Sequence, residues 1–173
     1  MFRLPALPAI ALVAISLCLG ACSRGQDHGL NTAKLGQDGS GAGGPATPGS
    51  AREFSTRIGD TVYFTTDSTE LNQEAQQVLA GQAQWLAQYP HYAIVIEGHA
   101  DERGTREYNL GLGAKRAANT REYLISRGVQ AGRIRTVTFG KERPVAVCAD
   151  ISCWSQNRRA VTVLDQNRVA SRN

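Results

Sequence analysis

No apolar run in this chain approaches the roughly 20 residues that a membrane-spanning helix requires; the longest, Ala9 to Gly20, is far too short. Basic blocks are missing too. The 19 Lys and Arg stand against 15 Asp and Glu and are scattered, an excess too mild for a nucleic-acid partner. Histidine is scarce: His28, His91 and His99 are far apart, so no third ligand accompanies any pair as a zinc centre would need. There is no Gly-x-Ser-x-Gly elbow, no phosphate loop and no Cys–His pairing. A glycoside hydrolase would need two carboxylates in a cleft, one with a raised pKa, and nothing in the chain points to one. Binding, without a cofactor or metal, is the expected mode of action.

What is present at the N-terminus reads as targeting. Arg3 is the one early charge, and the short apolar stretch closes on Leu19-Gly20-Ala21-Cys22. That tetrad resembles the bacterial lipobox. The resemblance implies a signal peptide over residues 1–21, cleavage before Cys22 and acylation of Cys22 on its thiol and new amine. Ser23, in place of an aspartate, implies sorting to the outer membrane, with the folded part facing the periplasm. Several acyl chains, at about 0.8 kcal/mol per buried methylene, make such an anchor nearly permanent. Loss of Arg3 leaves 18 basic against 15 acidic residues, a charge compatible with an anionic wall but not diagnostic of one.

Residues 22–52 read as a linker. Gly36, Gly39, Gly41, Gly43, Gly44 and Gly49 alternate with Pro45 and Pro48, and only Leu30 and Leu35 are large and apolar. Such a composition buries too little to offset its ordering entropy. A Gly-rich coil of about 30 residues spans about 30 Å on average and about 100 Å when stretched.

Ordered structure is expected from near Asp60, within a domain over 53–165 followed by a frayed tail, 166–173. Thr61-Val62-Tyr63-Phe64 reads as a strand. Asn72 is placed to cap a helix from Gln73 to about Gln88, which carries Ala75, Val78, Leu79, Leu86 and Tyr89 at helical spacing and stops at Pro90. Tyr92 to Ile96 is nearly all apolar, as a central or doubly covered strand would be. Thr105 caps a second helix to about Arg127, with Gly128 just beyond. Its Leu110, Gly113, Ala117, Thr120 and Leu124 share a face whose small residues predict close approach to a sheet. Strands follow at Ile134–Phe139 and Arg159–Leu164, with a short helical turn after the cysteine loop between them. The alternation predicts an α/β, two-layer arrangement of two helices on a four-stranded sheet.

The run from Glu97 to Asn109 (Glu-Gly-His-Ala-Asp-Glu-Arg-Gly-Thr-Arg-Glu-Tyr-Asn), followed by Leu112-Gly113-Ala114-Lys115-Arg116-Ala117, carries the chemistry. Asp101 falls just past a strand, on a loop into a helix N-terminus. Asn109 and Arg116, seven residues apart, share a face of the helix that follows. An anionic acceptor, a guanidinium fork and a neutral amide together suit a small ligand bearing both an ammonium and a carboxylate.

These residues closely resemble the OmpA-like peptidoglycan-binding family. Glu102 to Asn109, Gly140-Lys141-Glu142-Arg143-Pro144 and the closing Asn157-Arg158-Arg159 are similar to its peptidoglycan-associated lipoprotein branch. The resemblance covers roughly residues 60–165 and implies a βαβαββ fold with a mixed sheet. It implies a clamp for meso-diaminopimelate, whose outer end in the stem peptide is a free ammonium and a free carboxylate. Asp101 and Arg116 map onto that clamp, with Asn109 lining it and Asp67 as a further acid. Arg158 either lines the pocket or braces the last strand. Branch membership also implies a periplasmic β-propeller partner, TolB, of the Tol system.

Cys148 and Cys153 are a departure from the branch. Cys18 leaves with the signal and Cys22 carries lipid, so these two remain, and in an oxidising periplasm they are expected to bond. So small a loop yields about 2 kcal/mol on the chain-entropy account.

Overall fold

The computed structural model describes residues 46–165. The signal segment, Cys22, most of the linker and the C-terminal tail lie outside the described residues. Within them no helix is long and apolar enough to cross a membrane.

Four strands, β1 (Thr61–Tyr63), β2 (Ala93–His99), β3 (Ile134–Gly140) and β4 (Arg159–Asp165), form one sheet in the order β1-β4-β2-β3. β2 runs parallel to β3 and antiparallel to β4, and β4 runs antiparallel to β1. The apolar Ala93–Ile96 segment is therefore a central strand. Its Ile94 and Ile96 are almost wholly buried, each contributing about 1.5–3 kcal/mol of transfer free energy.

Two long helices, α2 (Gln73–Gln88) and α3 (Arg106–Ser126), supply the second layer. Both start where short side chains can satisfy orphan amides. Asn72 accepts from the Ala75 N–H and Thr105 from the Tyr108 N–H. The residue after the α3 cap, Gly128, takes φ +94°, the left-handed turn that closes a helix C-terminus. Leu79, Leu86, Ala117 and Leu124 meet Ile94 and Ile96 in the core.

Close approach of α3 to β2 rests on a glycine pair. A Cβ on Gly98 would lie 1.9 Å from the Gly113 carbonyl oxygen, and one on Gly113 would lie 2.5 Å from Thr138 Oγ1. Any larger residue at either position would force the layers apart.

Ordered structure starts earlier than Asp60. A short helix, α1 (Ala51–Glu53), widens into a π-helical turn, Phe54–Gly59, before β1. Ser50 caps it, and Phe54 is buried 4.9 Å from the Trp85 ring. Glu53 is buried as well, accepting hydrogen bonds from Gly49 N–H (2.7 Å), Arg57 (2.9 Å) and the Trp85 indole (3.0 Å). The Trp85 and Gly49 bonds hold its carboxyl below the usual range. In nine residues only Ala51, Phe54 and Ile58 are apolar, so periodicity carries no signal here. Tertiary hydrogen bonds hold the segment instead.

Between β3 and β4 lies α4 (Ile151–Asn157), capped by Asp150 through the Ser152 N–H. Cys148 and Cys153 form a disulfide, with Cα atoms 5.7 Å apart, that ties the preceding loop to its first turn. At its other end the buried Asn157 side chain receives the Val145 and Ala146 N–H groups and donates to the Ala146 carbonyl. The Val145 and Ala146 backbone groups are thus paired without regular structure.

Candidate functional site

The Gly98–Gly113 contact brings the end of β2 against α3, and the chain then turns through residues 101–105. Asn109 shapes that turn. Its amide nitrogen donates to the carbonyls of Arg103 (2.7 Å) and Thr105 (3.0 Å), while Lys141 donates to those of Glu102 and Gly104. Gly104 sits at φ +83°, within reach of the Asn109 side chain.

Asp101, Asn109 and Asp67 line one cavity of about 280 Å³, together with Thr66, Arg103, Gly104, Tyr108 and Leu112. Asp101 is nearly buried. Its Oδ1 accepts from the Arg103 backbone N–H and Nε, and its Oδ2 from Arg103 Nη2 (2.7 Å) and Arg158 Nη1 (3.2 Å). Burial pushes this carboxyl up, but the Arg103 and Arg158 hydrogen bonds outweigh burial and hold it below the usual range. Asp67 differs. It is exposed, stands at φ +55° and accepts a hydrogen bond from the Tyr108 hydroxyl, and no guanidinium hydrogen-bonds to it among the described residues. Of the two carboxylates it is the more exposed.

Arg116 is placed differently from a freely presented fork. It is wholly buried and does not line the cavity. Nε donates to the Ser68 carbonyl (2.9 Å), Nη1 to that of His99 (2.8 Å) and Nη2 to that of Thr65 (3.3 Å). Its guanidinium also faces the Phe64 ring at 5.1 Å. It therefore staples the loop after β1 to the end of β2, and among the described residues two of its five N–H groups make no hydrogen bond. Burial and then the positive charge of Arg158 lower its pKa to about 10, with Asp101, Asp67 and Tyr108 opposing. It stays charged at neutral pH, close enough to both carboxylates to balance them.

Arg158 both braces and reaches the site. Its Nε donates to the Phe64 carbonyl at the end of β1, and its Nη1 pairs with Asp101. It lines an adjoining cavity, not the one around Asp67.

Arg103 and Tyr108 line the cavity with polar groups but carried no assignment from the sequence. Both lie in the motif run. An arginine two residues after the pocket aspartate is within side-chain reach of it, and an exposed tyrosine in the first turn of α3 has little structural reason to be there. His99, by contrast, is buried in packing beside Phe139, with neither ring nitrogen hydrogen-bonded among the described residues. Glu97 stands 3.6 Å away, beyond hydrogen-bond length. Burial first, then Arg159 and Arg143, lower its pKa to about 4, so the ring is neutral and takes no part in the cavity.

A family model for the OmpA family matches residues 63–158, a span containing every residue of this site. The chain belongs to the OmpA family. Within the family it falls among proteins named peptidoglycan-associated lipoprotein. That of Agrobacterium fabrum is 55% identical over 164 residues, covering 95% of this chain and 91% of the relative. That of Mesorhizobium japonicum is 60% identical over 155 residues, covering 90% and 89%. Among solved structures, the peptidoglycan-associated lipoprotein from Burkholderia pseudomallei is 42% identical. It superposes with a TM-score of 0.62 over 64% of this chain and 96% of that one. The OmpA-like fold, seen here as two layers on a mixed four-stranded sheet, is thus shared with that solved structure at the level of the superposition.

Proposed function

We propose that this protein is a non-catalytic tether. It is anchored in the outer membrane by acyl chains on Cys22 and grips peptidoglycan through the meso-diaminopimelate of its stem peptides. The observation that carries the reading is the cavity around Asp67 and Asp101, backed by Arg103 and the buried Arg116. Two carboxylates beside two guanidiniums suit a zwitterionic tip. The ammonium meets Asp67 with Asp101 behind it. The carboxylate meets the remaining N–H groups of Arg103, where a planar fork discriminates better than a lysine would, and the buried Arg116 adds positive charge from behind without touching it. Asn109 shapes the wall, and its Oδ1 has no partner among the described residues. Arg158 holds Asp101 in register.

The names of the relatives support wall binding and lipidation, and the family resemblance extends the reading to the Tol–Pal system. On that reading TolB is the alternative partner, and exchange between wall and TolB accompanies outer-membrane constriction at division. An OmpA-like lipoprotein that only anchors the wall differs in one respect: it would not bind TolB.

The test is calorimetric titration of the chain from Ser23 onward with a diaminopimelate-containing stem peptide, with a lysine-containing peptide as control. The fragment must not start at Glu53, because Ser50 and Gly49 belong to the fold. Binding of the first peptide alone is expected. Equal binding of both, or of neither, would reject the assignment.

A further inference from the structure

We infer that the cavity beside the first is a second ligand subsite, one that takes another carboxylate of the same stem peptide. The inference rests on the proposed peptidoglycan reading and extends it. This second cavity, about 350 Å³, is lined by Tyr63, Phe64, Thr65, Asn72, Ser155, Gln156 and Arg158. It adjoins the first, since Thr65 lines one and Thr66 the other, and the Arg158–Asp101 pair at 3.2 Å links them. A peptide with its diamino tip beside Asp67 therefore has an adjacent site for its backbone.

The lining has a definite chemistry. No acidic side chain is present among these residues, and the one charge is the Arg158 guanidinium. Arg158 is more than nine-tenths buried, with Nε committed to Phe64 and one Nη to Asp101. Its second Nη has no hydrogen-bond partner among the described residues. A buried guanidinium with a free N–H edge on a cavity without acids selects an anion, and its planar edge suits a carboxylate. The rim adds the Gln156 amide and the half-exposed Tyr63 ring, groups that suit a peptide backbone more than a bare ion. A stem peptide offers two such carboxylates besides the tip: the α-carboxylate of the residue before the diamino acid, and the one at its C-terminus.

Arg158→Gln would also remove the bonds to Phe64 and Asp101, so a loss of folding would obscure its effect. The deciding variant is Gln156→Glu, an isosteric change at an exposed position of α4 that puts a negative charge on the rim. The chain from Ser23 onward is titrated with three diaminopimelate peptides: fully charged, amidated before the diamino acid, and amidated at the C-terminus. Amidation at one of the two positions is expected to weaken binding about tenfold, the loss of one charge-assisted hydrogen bond. Gln156→Glu is expected to weaken the fully charged peptide about fivefold while leaving the sensitive amidated one within about twofold. Absence of either effect, with selectivity over the lysine peptide intact, overturns the second subsite and leaves the first standing. No binding of any peptide overturns both.

Discussion

The Arg103 guanidinium lies over the Trp154 ring, 4.3 Å from its centre, while the Trp154 indole N–H donates to Glu102. One side chain of α4 thus holds two consecutive residues of the loop that carries Asp101. Trp154 is itself adjacent to Cys153, so the disulfide, the aromatic platform and the pocket arginine form a continuous series. Trp154→Ala should cost about 1 kcal/mol of stability, the scale of an exposed cation–π contact plus a hydrogen bond. Its larger effect should be on binding, because Arg103 loses the surface that keeps it against Asp101. Urea unfolding beside peptide titration separates the two. A binding change no larger than the stability change would refute a positioning role for Trp154.

Replacing Cys148 and Cys153 together by serine should lower stability by about 2 kcal/mol, the loop-entropy value for so short a ring. Equilibrium unfolding of the variant measures it. A destabilisation above about 4 kcal/mol would mean that the bridge supports the fold itself and not just the α4 loop.

Asp67→Asn isolates the electrostatic part of the site. Asparagine tolerates the left-handed backbone at φ +55° as well as aspartate does, and the residue is exposed, so stability should move by less than about 0.5 kcal/mol. Affinity for the diaminopimelate peptide should fall about tenfold with the lost charge. An unchanged affinity would place the ammonium elsewhere.

Arg116→Ala should behave in the opposite way. Removing a wholly buried guanidinium leaves the carbonyls of Ser68, His99 and Thr65 without their donor, together with a cavity. A loss of about 3–5 kcal/mol is expected, and thermal unfolding measures it. Lost wall binding in this variant alone would not identify a ligand contact. Retained stability would contradict the staple described above.

His99 sets an acid limit on stability. Its pKa falls from 6.5 to about 4 in the fold, so below pH 6.5 the unfolded chain binds the proton that the native ring refuses. Stability is therefore full above pH 6.5 and declines as pH falls toward 4, by at most about 1.4 kcal/mol per pH unit. Asp101 contributes in the same direction but lower: its depressed carboxyl stabilises above the unfolded carboxylate value, and that part is lost only as pH falls through the folded one. His99→Gln should flatten the upper window. Denaturation midpoints across pH 4 to 7 that fall equally in the variant would reject this account.

Much of this molecule was legible along the chain, because the signals were local. Asn72 and Thr105 announce helix starts through short-range hydrogen bonds to residues three positions on, and each caps the helix expected of it. The apolar run Ala93–Ile96 marks a central strand, and the small pair Gly113 and Ala117 marks the helix face that meets the sheet. The motif run likewise placed Asp101 and Asn109 on one wall, since both lie within a single strand–loop–helix unit. Tertiary structure alone decided the rest. Whether Arg116 faces solvent or staples three carbonyls depends on Ser68 and Thr65, about fifty residues away. The open charge at Asp67, the Arg158–Asp101 link and the burial of Glu53 under Trp85 likewise depend on distant partners. Spacing within one element dictates which residues share a face, but the burial and pairing of a charge are set by whatever other elements pack against it.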